Sequence, residues 1–288
     1  MGNVFVVVAF FGACVGIFAL WLFLIKPSRG EKRADLLPFC RFQYAHRGVF
    51  DDDTPENSFP AFQKAVAHGY GIELDVRLTK DGQLVVFHDE TLERMCGLKK
   101  KVSDCTAKEL AVMPLLGSPY TIPTLNEVLN IVQGKFPLVV ELKEEGTNCA
   151  LVEKTVNTLK GYDGLYCLES FNPFLIRHLK RHHKQLLRGQ LTGVFPPKKG
   201  QPAILHFFLR HLLVNFLSRP DFIACQHGED STLSHRAIRT FFHPIWVVWT
   251  VRTQRDFDLM KQRYDIQIFE GFLPSDTPSP KGAPNYHE

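Results

Sequence analysis

Between residues 72 and 89 the chain reads IELDVRLTKDGQLVVFHD, which sets Glu73, Asp75 and His88 into two apolar runs joined by a Lys-Asp-Gly turn. The gap between Leu78 and Leu84 is too short for a helical crossover, so the runs turn back on each other as a hairpin. With Asp81 and Gly82 as the two central turn residues, Lys80 faces Gln83 and Asp75 faces His88. Glu73 shares that face by the period of two. Carboxylates about 6.5 to 7 Å apart at Cα disfavour joint ionisation when partly buried, so something positive should lie between them. Oxygen-only ligands suit one divalent cation, Mg²⁺ or Ca²⁺.

Two other strand ends carry complementary groups. LVVELKEE puts Glu141 at the end of an apolar run, with Lys143 facing the same way, and YAHRG places His46 and Arg47 before Gly48, where the backbone can turn sharply. If these runs are barrel strands, their C-terminal ends converge on one mouth. Three acids, two imidazoles and two fixed cations there suit a phosphate ester. Singly, each has an ordinary reading: a histidine as a structural hydrogen bonder, an acid paired with Arg77 or Lys143. Their joint placement at separate strand ends favours chemistry.

The elements that must position these groups are strand candidates FQYAH near 42, IELDV at 72, LVVF at 84, LVVEL at 138, LYCLES at 165, LLRGQ at 186, DFIAC at 221, WVVWTV at 246 and IQIF at 266. Helical patterns fall between most of them, as at Ser58 to His68, where a serine cap precedes Phe62, Ala65 and Val66 on one face. Alternating strands and helices predict an α/β fold, and the hairpin accounts for the ninth strand. The expectation is a distorted TIM (β/α)8 barrel of roughly 245 residues, spanning 40–278. Residues 91–121 lack a strong strand signal and read as a small insertion, and 279–288 as a loose tail.

From Val4 to Ile25 there is no charged side chain. As a helix this stretch spans about 33 Å, enough for a hydrocarbon core, so residues 1–25 are expected to be a transmembrane anchor. No basic residue precedes it and WLFLI ends it, unlike a cleaved signal peptide. Lys26, Arg29, Lys32 and Arg33 follow, in a basic linker 26–39 that would place the catalytic part in the cytoplasm of a single-pass protein. Gly12 and Gly16 form a G-x-x-x-G pair that would let two anchors pack as a homodimer, although glycine is common in such helices. The net charge of +4 is too small to argue nucleic acid binding, and KRHHK at 180–184 reads as a solvated helix end. Seven cysteines without a C-x-x-C pair suggest neither a disulfide framework nor a zinc knuckle.

The order AHRG, PENSFPAFQKAVAHGYGIELDVRLTKDGQLVVFHDETLER, IPTLNEVL, LVVELK, ESFNP and VVWTVR resembles the glycerophosphodiester phosphodiesterase family, relatives of the phosphatidylinositol phospholipase C barrels. The likeness runs from about Tyr44 to Pro278. It implies a metal-dependent barrel that cleaves glycerophosphodiesters to glycerol 3-phosphate and an alcohol. By motif, His46 and His88 would be the acid and base in either order, Glu73, Asp75 and Glu141 the metal ligands, and Arg47 and Lys143 the phosphate contacts. Glu56 and Asn57 match the E-N pair, and Trp249 the W-T-V motif, among substrate-binding positions. The attacking group would be the substrate's own glycerol 2-hydroxyl, giving a cyclic phosphate that water opens. Two stretches depart from the family pattern: W-T-V ends in Arg252 where asparagine is usual, and FLPSDTP only loosely matches the T-D-x-P ending.

A second expectation concerns 203–217, AILHFFLRHLLVNFL, apolar nearly all round as a helix and preceded by Lys198 and Lys199. Such a segment could admit a lipid tail at the membrane and make the enzyme a lysophospholipase D, or it could be a helix buried against the barrel. A non-catalytic membrane-tethered binding module would show gaps among the site residues, and none is found. An amidohydrolase barrel would need an H-x-H pair on the first strand, which is missing.

Overall fold

The computed structural model describes residues 2–144, 146–194 and 203–275. All nine candidate runs are strands: β1 (Tyr44–His46), β2 (Gly71–Leu78), β3 (Leu84–Val86), β4 (Leu138–Leu142), β5 (Tyr166–Ser170), β6 (Arg188–Thr192), β7 (Phe222–Gln226), β8 (Ile245–Val251) and β9 (Ile266–Phe269). Eight of them pair in parallel, and β1 joins both β2 and β9, which closes the barrel. The ninth, β3, hangs antiparallel on β2.

The hairpin register differs by one residue from the sequence expectation. Val76 pairs with Val86 and Leu78 with Leu84. The loop therefore holds three residues, Lys80, Asp81 and Gly82, closed by the Thr79 amide to the Gln83 carbonyl at 3.0 Å. Gly82 is left-handed at φ 69°, the conformation a three-residue loop asks of its last position. Asp75 thus faces Phe87, whose amide donates to the Asp75 carbonyl, and not His88. Strand pairing ends at Val86, so His88 reaches the site from an irregular segment and not by alternation.

Alternation divides the core in two. One apolar cluster, Tyr44, Val139, Cys167, Leu191, Phe222, Val247 and Ile268 among others, comes from strands and is closed below by Leu36 and Phe39. It fills the lumen. The other positions, such as Ile72, Leu74, Val140, Leu168 and Val248, meet helix residues Phe62, Leu125, Val152 and Ile176 outside the sheet. Inward positions change from apolar to polar along the strands, from Tyr44 to His46, Val139 to Glu141 and Cys167 to Glu169. Polar groups therefore gather at the C-terminal mouth, as a barrel requires.

Local capping sets the helix starts. Ser58 caps Phe59–Ala67 by accepting from the Ala61 amide, and Thr124 with Glu127 makes a capping box on Leu125–Val132. Residues 91–121 hold three short helical turns around their own cluster of Leu92, Met95, Leu110 and Leu115, which Val85 and Phe87 of the hairpin join. Residues 203–217 are not one helix. They form Ala203–Arg210 and Asn215–Ser218 around Leu212, which is left-handed at φ 55°. Ile204 and Phe207 are exposed, while Leu212 and Val214 are buried. Lys198, Lys199 and the expected tail 279–288 lie outside the described residues.

The first helix, Gly2–Ile25, leaves Val4 to Leu20 exposed. Its last turn does not. Ile25 is buried, its carbonyl accepts from Asn215 Nδ2 at 2.8 Å, and Arg219 donates to the carbonyls of Phe23 and Lys26. Residues 26–39, read above as a linker, run across the N-terminal end of the barrel, with the Ser28 amide on the Pro220 carbonyl. In KRHHK, Arg181, His182 and Lys184 are exposed, but Lys180 donates to the Leu217 carbonyl and His183 pairs with Glu153.

Candidate active site

The polar mouth is built from β1, β2, β4 and the segment after β3. Glu73, Asp75 and Glu141 are buried, and each offers an oxygen within 4.8 Å of those of the other two. The parallel register that sets Asp75 beside Glu141 and His46 beside Glu73 brings them together.

Asp75 is the most heavily contacted. Asn57 donates to its Oδ2 at 2.8 Å, Arg47 Nε lies 3.3 Å away, and Lys143 Nζ is 3.2 Å from Oδ1 and 2.7 Å from Glu141. Burial by itself would raise the Asp75 pKa, but Lys143, His88 and Arg47 outweigh it and hold the carboxyl well below its usual range. Burial, followed by the repulsion of Asp75, pushes Glu73 well above that range, and burial likewise raises Glu141. Burial would also strip the proton from Lys143, yet Asp75 and Glu141 more than compensate, so it stays an ammonium. Two of the three acids are therefore driven towards protonation, a tendency that further positive charge would oppose.

Both imidazoles are oriented through Nδ1 by a carboxylate. His46 Nδ1 donates to Glu270 Oε2 at 2.5 Å, and its Nε2 lies 3.9 Å from Glu73. His88 Nδ1 donates to Asp89 Oδ1 at 2.6 Å. A carboxylate only accepts, so the proton sits on Nδ1 and Nε2 is left to exchange protons with a ligand. Burial lowers the His46 pKa in spite of Glu270.

The loop after β1 explains how Arg47 enters. Arg47 and Gly48 are both left-handed, φ 56° and 83°, and the Arg47 amide donates to the carbonyl and side chain of Glu73. A Cβ on Gly48 would meet the Ala61 backbone at 2.8 Å, so only glycine lets this turn pack on the following helix. Glu56 receives Arg47 at 2.7 Å and Arg94 at 2.6 Å, and Arg94 also holds Asp89. Trp249 sits edge-on to Phe171, ring centres 5.6 Å apart, and Lys143 lies 5.9 Å from the Phe171 ring. All ten candidate residues thus line one mouth or brace it.

Four participants were missed from sequence, the first being Asp89, which holds His88 and directly follows it in the chain. Glu169, buried beside Glu141 across β4 and β5, has its pKa pushed well up by burial. Glu270 immediately follows β9. Both obey the strand-end rule that singled out Glu141 and could have been found by it. Arg94 lies in the insertion and carried no such signal.

The sequence matches the family model described as the glycerophosphoryl diester phosphodiesterase family over residues 46–265. A glycerophosphodiester phosphodiesterase of Caldanaerobacter subterraneus is 37% identical over 158 residues, 51% of this chain and 65% of that protein. A lysophospholipase D of Homo sapiens is 34% identical over 140 residues, 43% of each chain. The chain thus spans less than two thirds of the length of these curated relatives. A phosphodiesterase of Oleispira antarctica, solved with the product sn-glycerol-3-phosphate, shares the fold with a TM-score of 0.65 at 24% identity, covering 79% of this chain and 92% of that one.

Proposed function

The chain belongs to the glycerophosphoryl diester phosphodiesterase family, and on that footing we propose that it hydrolyses glycerophosphodiesters to glycerol 3-phosphate and an alcohol. The observation that carries the reading is two carboxylate-held imidazoles beside three buried acids and two fixed cations at one barrel mouth. The product bound by the Oleispira antarctica phosphodiesterase is the one expected here.

The donor set fits one divalent cation. Three buried carboxylates supply only oxygen, and two of them are driven towards protonation without extra positive charge. Glu73, Asp75 and Glu141 would hold Mg²⁺ or Ca²⁺, which when bound draws charge from a phosphate oxygen. Arg47 and Lys143 offset the charge that grows on the phosphate. Neutral His46, its Nδ1 proton fixed on Glu270, takes the proton of the attacking glycerol 2-hydroxyl at Nε2. The hydroxyl oxygen bonds to phosphorus, the bond from phosphorus to the alcohol oxygen breaks, and His88 delivers a proton to that oxygen. Water then opens the cyclic phosphate with the roles reversed. His46→Ala and His88→Ala should each lower turnover of glycerophosphocholine by roughly 10² to 10⁴. Wild-type turnover in either variant removes the assignment.

The apolar helix Gly2–Ile25 is read as a retained single-pass anchor. Cleavage at the end of the run, after Ile25, would strand Asn215 Nδ2 and remove one of the two carbonyls that Arg219 holds. The basic residues after it place the barrel on the cytoplasmic side. Lysophospholipase D activity is the second reading. It is favoured by exposed Ile204, Leu205 and Phe207 on a helix tied to the end of β6 by Thr192 Oγ1 on the Leu209 carbonyl at 3.1 Å. Turnover of lysophosphatidylcholine at or above that of glycerophosphocholine would establish it; a preference for glycerophosphocholine by orders of magnitude would end it.

A further inference from the structure

We infer that the cavity between the end of the first helix and the start of β6 holds the phosphate of an anionic lipid headgroup, in the membrane leaflet that the anchor enters. The inference rests on reading that helix as a membrane span.

The cavity is about 420 Å³ and is lined by Ser28, Glu31 and Lys32 after the first helix, by Lys180, Arg181 and Lys184 at the end of Pro173–His182, and by Arg188 and Asp221. Five of these are basic and two acidic. Asp221 is already engaged, 3.2 Å from Lys32 Nζ and 3.4 Å from Arg188. Arg188 is buried, and its Nε has no acceptor among the described residues. Arg181 and Lys184 are exposed at the rim. Burial and then the nearby Arg219, Arg188, Arg177 and Arg181 lower the Lys180 pKa, the sign of a crowded positive field. Such a field inside a concavity draws an anion with several acceptor oxygens.

Position identifies the source. Ser28 lies three residues beyond Ile25, at most about 10 Å of chain, and the hydrogen bonds of Asn215 and Arg219 fasten the end of the span to the barrel. The headgroup region adds only about 5 to 8 Å beyond the hydrocarbon. One wall of the cavity therefore stands at headgroup depth, where anionic lipid is concentrated. Arg188 opens β6, Lys180 lies in the last turn of the helix that leads into it, and Lys32 lies in the stretch that crosses the N-terminal end of the barrel, so the cavity is at the end opposite the mouth and is not the catalytic site.

The test uses the full chain in detergent, analysed by intact-complex mass spectrometry with phosphatidic acid, phosphatidylcholine or inorganic phosphate. Phosphatidic acid should be retained about tenfold more than phosphatidylcholine, and the double variant R181E/K184E should bring the two to parity with turnover of glycerophosphocholine unchanged. Equal retention by the wild type, or an unaltered preference in the double variant, overturns the inference. Displacement of phosphatidic acid by millimolar inorganic phosphate also overturns it, in favour of a free anion. Alkaline carbonate extraction separates the two claims. Release from membranes defeats the anchor, and retention without lipid preference defeats the cavity alone.

Discussion

At the scale of single residues the site depends on charges that would be unfavourable apart. In the proposed mechanism His46 can serve as a base only while Glu270 holds its Nδ1 proton, and the Glu270 carboxyl, which burial would raise, is instead held down at about 2, chiefly by that bond. Glu270 is therefore a positioning residue. Glu270→Gln should lower kcat by about 10² and, because Glu270 raises the His46 pKa, move the acidic limb of the kcat/KM profile to lower pH with little change in KM. An unchanged pH profile would mean that Glu270 only braces the loop. Gly48→Ala tests the turn before it. The added methyl must displace the Ala61 backbone at a left-handed position, so activity and stability should both fall, by about 1–3 kcal/mol in urea unfolding.

Among the elements, the hairpin shows how local chemistry decides register. Thr79 Oγ1 bonds Asp81 at 2.6 Å and also accepts from the Gln83 amide, which stabilises a three-residue loop over the two-residue turn that Asp-Gly suggests. Aspartate-glycine alone does not reveal that competition, so the sequence placed His88 near the right site by the wrong route. The clamp on the first helix was hidden for another reason: Asn215 and Ile25 are far apart in the chain, and a hydropathy run says nothing about what its end touches. Asn215→Ala removes the bond to Ile25 and leaves its carbonyl buried, so the barrel should lose about 1–3 kcal/mol, a fall in Tm of several degrees. An unchanged Tm would show that the end of the first helix is not fastened.

For the whole molecule, pH and cations act on the same balance of buried charge. His235, packed on Trp246 and capped by Thr232, has its pKa lowered to about 4, mainly by burial. Because the folded value lies below the unfolded one, its neutral form stabilises the protein fully above about pH 6.5. Up to about 3 kcal/mol is then lost as pH falls towards 4. Glu270 acts in the same direction at lower pH, from about 4.5 down to 2. Urea midpoints should drop between pH 7 and 4.5, and His235→Gln should flatten that part of the curve. At neutral pH, Mg²⁺ or Ca²⁺ at a hundredfold over Kd should add about 2.7 kcal/mol and raise Tm, while a chelator should abolish turnover until metal is restored. Activity indifferent to chelation would exclude the assigned ligand role of Glu73, Asp75 and Glu141.

The strand set, the barrel and the family were legible because period-two apolar runs ending in Glu141, Lys143 or His46 are local patterns, and because separate motifs recur in one order. What tertiary structure alone decided is who meets whom. Closure of β1 onto β9 brings Glu270 to His46, the pairing of β4 with β5 adds Glu169, and the chain after the first helix folds under the barrel to meet the cations of residues 180–184. Those contacts join residues far apart in sequence, and the free energy that selects them comes from burying both partners together, which no single segment carries by itself.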